Sequence, residues 1–179
     1  MLKIRLTHDE IIKIMHSYGT PDRVIRHCEK VASISLKLAT KLNHSGYDLD
    51  LDLIHNAALL HDIAKIYIKH EQVGADYIYD LGMHDIAEIV RKHTTHVLPL
   101  NASELKEVDV VCIADRLVIE DFYAGFNARM EYILRKTLIP DEVMDIMHAH
   151  IKNTENLIIE IESILGISFD DLFQKSNPK

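Results

Sequence analysis

The sequence is poor in glycine, with 6, and in proline, with 4, among 179 residues, and it contains no low-complexity tract. Breakers this scarce leave little room for long linkers, while a hydrophobic fraction of 47% supplies a packed core. The length suits a single domain over residues 1–179, since two cores would leave both halves marginal. Basic residues are also in deficit. Twenty Lys and Arg stand against 28 Asp and Glu, a net charge of -8, which argues against a broad face for long nucleic acid but permits a cationic pocket for one nucleotide. The two cysteines, Cys28 and Cys112, form no CxxC pair and lie in apolar surroundings, so buried thiols in a reduced chain are expected. No apolar run approaches the roughly 20 residues that span a bilayer. The opening MLKIRLTHDE alternates apolar with charged positions, unlike a signal peptide, and predicts a cytoplasmic protein without a membrane partner.

Helical periodicity is what the sequence has in plenty. Thr7 and Glu10 predict a capping box for a first helix ending near Gly19, and Thr20 with Pro21 predicts a second, capped by the threonine hydroxyl. Asp50 or Asp52 caps a third that runs through Leu53, Ala57, Leu60 and Ile63, apolar nearly all round and therefore central. Further helices are expected over about 70–81, over 85–93 and from Ser103 through Leu117. Pro140 opens a long amphipathic helix to about Leu165, followed by Gly166, a Ser168-capped tail and a frayed QKSNPK terminus. Strand signals are nearly absent.

The third helix ends in Leu59-Leu60-His61-Asp62, which places an imidazole and a carboxylate in the most apolar part of the chain. Burying them is unfavourable without a compensating cation. His27 shares a helix face with Val24, Val31 and Ile34, and Asp115 ends the apolar run from Val110 to Ala114. One divalent ion explains polar groups turned inward from separate helices, because two imidazoles and two carboxylates together satisfy it.

This order, a histidine, then His-Asp, then an aspartate, resembles the HD-domain superfamily of metal-dependent phosphohydrolases. The resemblance covers about Thr20 to Glu120 and implies an orthogonal helical bundle around the metal; the additional C-terminal helices, over about 121–179, fall outside it and complete an all-α fold. His70-Glu71-Gln72-Val73-Gly74-Ala75 and His93-Thr94 are similar to elements of the two-metal subgroup that includes diadenosine tetraphosphate hydrolases. Two divalent transition ions are thereby implied, iron or manganese first, with nickel, cobalt, zinc or magnesium open. His27, His61, Asp62 and Asp115 would hold one, and His70, His93 and a bridging Asp62 the other. The implied activity is hydrolysis of a nucleotide or other small phosphate ester by a metal-activated water. Asp62 would orient that water, and Lys65 would neutralise a phosphate oxygen or simply be solvated. Arg23, Arg116 and Thr94 are candidate substrate contacts, with surface or capping roles as their alternatives, and His96 is a candidate extra ligand. The alternatives for the whole chain are an HD-fold di-iron oxygenase and a non-catalytic nucleotide-binding module. The Ile and Leu stripe of the long C-terminal helix leaves a homodimer open.

Overall fold

A computed structural model describes residues 6–136 and 141–173, the side chains of Asp141 and Val143 excepted. Pro140 and the QKSNPK terminus, like the first five residues, lie outside that range. The described chain is all-α with one small hairpin: α1 His8–Tyr18, α2 Asp22–His44, α3 Leu51–Leu60, α4 His70–Asp80, α5 His84–Lys92, a 3-10 turn at Ala102–Glu104, α6 Glu107–Asp115, strands β1 Val118–Ile119 and β2 Phe122–Tyr123, then α7 Phe126–Lys136, α8 Asp141–Leu165 and α9 Phe169–Phe173. No helix among the described residues is long and apolar enough to cross a membrane.

Local chemistry sets most boundaries. The Thr7 hydroxyl accepts from Glu10 N–H while Glu10 Oε2 accepts from Thr7 N–H at 2.8 Å, and Gly19 closes α1 at φ +89°, a conformation open to glycine. Asp50 caps α3 through Leu53 N–H, and the Ser168 hydroxyl accepts from Asp171 N–H ahead of α9. The second helix departs from the expectation. Pro21 occupies its N-cap position without a side-chain cap, because the Thr20 hydroxyl donates instead to the Ile63 carbonyl at 2.8 Å. That buried bond ties the α1–α2 junction to the turn just beyond His61-Asp62.

α3 is the axis of the fold, packing against α1, α2, α5 and α6, with Ile54 and Asn56 through Leu60 all buried. It ends at Leu60, earlier than expected, and residues through Lys69 continue as successive turns, with Ile63 N–H to Leu60 O, Lys65 N–H to Asp62 O and Tyr67 N–H to Ala64 O. α4 packs onto α5 and onto this turn. A Cβ at buried Gly74 would stand 3.0 Å from Ile63 Cγ2 and 3.5 Å from the Ala64 Cβ. Gly74→Ala should therefore lower thermal stability by about 1 kcal/mol, as overpacking does, and a melting curve checks it. The Ile146, Ile159 and Ile164 side chains on α8 remain exposed.

Candidate metal centre

His61 follows the last residue of α3, and His93 follows the last residue of α5. Both use the same device, an Nδ1–H donated to the carbonyl three residues back: Ala58 at 2.8 Å and Val90 at 2.7 Å. The Nδ1 of His27, on the second turn of α2, donates to the Glu120 carbonyl at 2.7 Å. A carbonyl only accepts, so all three rings are fixed with Nδ1 protonated and Nε2 aimed at the centre. Glu120 adopts φ 53° in the β1–β2 turn to present that carbonyl, and Lys69, immediately before His70, adopts φ 58°. These are the non-glycine residues with positive φ among those described, and each positions an imidazole of the centre.

The six expected ligands fall into two groups of donor atoms, His27 with His61 and Asp115, and Asp62 with His70 and His93, each group lying within 4.8 Å of itself. Neighbouring rings run His27, His61, His93, His70 with centroids 5.4, 5.2 and 5.3 Å apart. Asp62 faces both groups. Its Oδ2 lies 3.5 Å from His61 Nε2 and 3.9 Å from His27 Nε2, while Oδ1 lies 3.1 Å from His70 Nε2 and 3.4 Å from His93 Nε2. Asp115 Oδ1 lies 3.1 Å from His27 Nε2 and 3.8 Å from His61 Nε2.

His61 Nε2 tests whether a cation belongs here. The side chain is fully buried, this nitrogen has no hydrogen-bond partner, and carboxylate oxygens of Asp62 and Asp115 lie 3.5 and 3.8 Å from it. Burial, working against both neighbouring carboxylates, lowers its pKa to about 4. At neutral pH a bare lone pair therefore faces two anions, an arrangement costly in itself and favourable around a cation. Bond lengths of about 2.0–2.2 Å from nitrogen and carboxylate donors suit groups of this span. The residues fit divalent metal.

Protons partly fill the role of cation in the metal-free chain. For His27 burial opposes the charge, but the hydrogen bond and charge of Asp115, with Asp62, raise its pKa; for His93 burial is likewise outweighed by Asp62. Burial also opposes ionisation of both acids, yet the surrounding imidazoles hold Asp62 and Asp115 well below the usual carboxylate range. The protonated His27 and His93 stabilise the fold fully below the unfolded value of 6.5, and that contribution is lost as pH rises through their raised values. His61 acts in the opposite sense, since its folded pKa of about 4 costs stability as pH falls below 6.5. Calorimetry in EDTA over about pH 5 to 8.5 should find the metal-free chain most stable near the crossover and weaker on either side.

Lys65 stands at the mouth, 43% exposed, with Nζ 3.1 and 2.9 Å from the two Asp62 oxygens and 3.5 Å from His70 Nε2. Arg23 and Thr94 are exposed. Arg116 is engaged within the fold: one terminal nitrogen donates to the Thr154 hydroxyl at 3.0 Å and the other to the His96 carbonyl at 3.2 Å. It staples α8 to the loop after α5. His96 is outside both groups, its Nε2 lying 2.6 Å from Asp109 Oδ1. Both thiols are buried as expected, Cys28 against the backbone of Asp62 and Cys112 donating to the His93 carbonyl at 3.5 Å. Burial pushes the Cys112 thiol up to about 12 and raises that of Cys28 as well. Arg129, on α7, reaches Asp115 with Nη2 3.9 Å from Oδ1 and was not expected from sequence. Its signal was an arginine amid the apolar positions Phe126, Met130 and Ile133.

An all-α fold converging four imidazoles and two carboxylates in this order defines the class. Residues 24–119 match the family model described as HD domain, more than half of the chain, so this protein belongs to the HD-domain superfamily of metal-dependent phosphohydrolases. It is 33% identical over 153 residues to an uncharacterized protein of Methanocaldococcus jannaschii, a match covering 70% of this chain and 90% of that one. It is also similar to two proteins named tRNA (cytidine(56)-2'-O)-methyltransferase. In Thermoplasma volcanium the identity is 32% over 97 residues, covering 51% of this chain and 27% of the relative. In Picrophilus torridus it is 27% over 180 residues, covering 92% of this chain and 49% of the relative. The chain thus spans half or less of either methyltransferase's length. No solved structure matches it significantly.

Proposed function

We propose that the chain is a phosphohydrolase acting on a nucleotide or another small phosphate ester, with two divalent transition ions held by His27, His61 and Asp115 and by His70 and His93, and with Asp62 between them. The orphaned Nε2 of His61, fully buried beside carboxylate oxygens, carries this reading. When bound, such ions supply an acidified water and polarise the phosphoryl oxygens. The residues do the rest. Three backbone carbonyls fix the imidazole tautomers, and the two oxygens of Asp62 serve one group each. Lys65 can exchange its contact with Asp62 for a phosphate oxygen, since its ammonium is already at the mouth. Lys65, 43% exposed beside Asp62, favours phosphate and so the phosphohydrolase over the oxygenase.

Two relatives are named for methyl transfer, but they are longer proteins of which the match is a part, so the chemistry proposed here rests on the donor set. Metal analysis of the purified chain, joined to a phosphate-release screen over mononucleotides, dinucleoside polyphosphates and cyclic dinucleotides with Mn(II), Fe(II) or Co(II), tests it. Release that chelation abolishes is the expected result. A chain that retains no transition metal and releases phosphate from none of these would sink the proposal.

A further inference from the structure

α7 contributes one side chain to the centre, and it does so from outside the segment that matches the family model. After Asp115 the chain turns through β1 and β2 and folds back where the Leu117 carbonyl accepts from both Ala124 and Gly125 N–H, at 2.8 and 3.2 Å. Gly125, at φ +83°, then admits the chain to α7. This return brings the Arg129 guanidinium beside Asp115, 17% exposed.

A structural role leaves two features of that guanidinium unexplained. Its Nε is buried without an acceptor, and its approach to Asp115, at 3.9 Å, falls outside hydrogen-bond range. A guanidinium that only braced the carboxylate would close on it in a paired contact at about 2.7–2.9 Å. The Tyr132 ring, 5.7 Å from Cζ, backs the side chain from the same helix. The fork is thus held at the edge of the centre with donors unspent.

Charge points the same way. Lys65 beside Asp62 and Arg129 beside Asp115 already balance the two carboxylates, and imidazoles are neutral as ligands. The two divalent ions of the metal-centre reading bring four positive charges to be met from the mouth. A doubly charged phosphoryl terminus, in a phosphomonoester or at the end of a polyphosphate, meets twice as many of them as a singly charged diester and offers the pair of oxygens a guanidinium takes.

We propose that Arg129 is the phosphoryl clamp on the Asp115 side of the centre, and that the substrate presents a dianionic phosphoryl terminus; this rests on the metal-centre reading above. The test is calorimetric titration of inorganic phosphate, and separately of dimethyl phosphate, into the full chain with and without Mn(II), for the wild type, Arg129→Met and Arg129→Lys. Arg129→Met should keep its manganese stoichiometry and weaken inorganic phosphate by about 10- to 100-fold, the size expected for hydrogen bonds to a charged group. Arg129→Lys, retaining charge without the fork, should fall between. Dimethyl phosphate should bind the wild type weakly and be unmoved by either change.

Phosphate affinity unchanged in both variants overturns the clamp, and if Arg129→Met fails to fold, wild-type affinity in Arg129→Lys overturns it alone. Tight dimethyl phosphate binding overturns the dianion preference. A wild type that takes up manganese but no phosphate defeats this inference and spares the metal reading. A wild type that takes up no manganese defeats the metal reading, and the clamp then stands only if phosphate binding to the metal-free chain still depends on Arg129.

Discussion

Asp62→Asn is expected to empty the centre of metal and to lower phosphate release at least about a thousandfold, the loss of a principal electrostatic group in a preorganised site. Among the described residues no other carboxylate addresses both groups: Oδ2 lies against His61 and His27, and Oδ1 against His70 and His93. Asparagine keeps the shape and one acceptor but removes the anion that must offset cationic charge at a side chain only 2% exposed. The helices should survive, because the core around α3 is made by Ile54, Leu59, Leu60 and Ile63, none of which depends on that charge. Bound-metal analysis, phosphate release and circular dichroism on the same preparation check the three parts separately. A variant with full metal-stimulated turnover would show that the centre has been assigned to the wrong residues.

His61→Leu should separate stability from metal response. In the metal-free chain the substitution deletes a buried nitrogen without a partner, a defect that costs about 1–3 kcal/mol, and gives up the Nδ1–H bond to Ala58. The balance should be a metal-free protein about 1 kcal/mol more stable than the wild type. With free metal at a hundred times its dissociation constant the wild type should gain about 2.7 kcal/mol, whereas the variant should gain little. Paired melting curves in EDTA and in Mn(II) decide the matter. A variant that responds to metal as strongly as the wild type would mean that His61 does not bind it.

The centre was legible because its residues break a strong local pattern. His61-Asp62 closes an otherwise apolar helix and Asp115 closes another, so the sequence shows charge where the core requires none, and the six expected ligands do converge. The first helix was legible for a different reason: the Thr7–Glu10 box is completed within four residues. What escaped depends on long-range partners. Thr20 has the chemistry of a cap, but Ile63, 43 positions away, takes its hydroxyl. The hairpin strands are two residues each, too short for alternation to register, and their pairing follows from the return of the chain to Leu117. Arg116 sits next to a ligand in sequence yet points to Thr154 on α8, while Arg129 lies far from any ligand in sequence and reaches Asp115. Adjacency along the chain singled out Arg116 and passed over Arg129, whose place beside Asp115 is set by packing.

The two sulfurs behind the centre bear on which ions it admits and on how it ages. Cys28 and Cys112 are the softest donors near the imidazoles, but burial keeps each as S–H, and a protonated sulfur neither coordinates well nor reacts quickly with peroxide. The six converging side chains themselves offer a thiophilic ion such as copper(I) only nitrogen and oxygen. The same shielding would let a redox-active ion turn over nearby in air without carrying those thiols up the ladder to sulfenic acid.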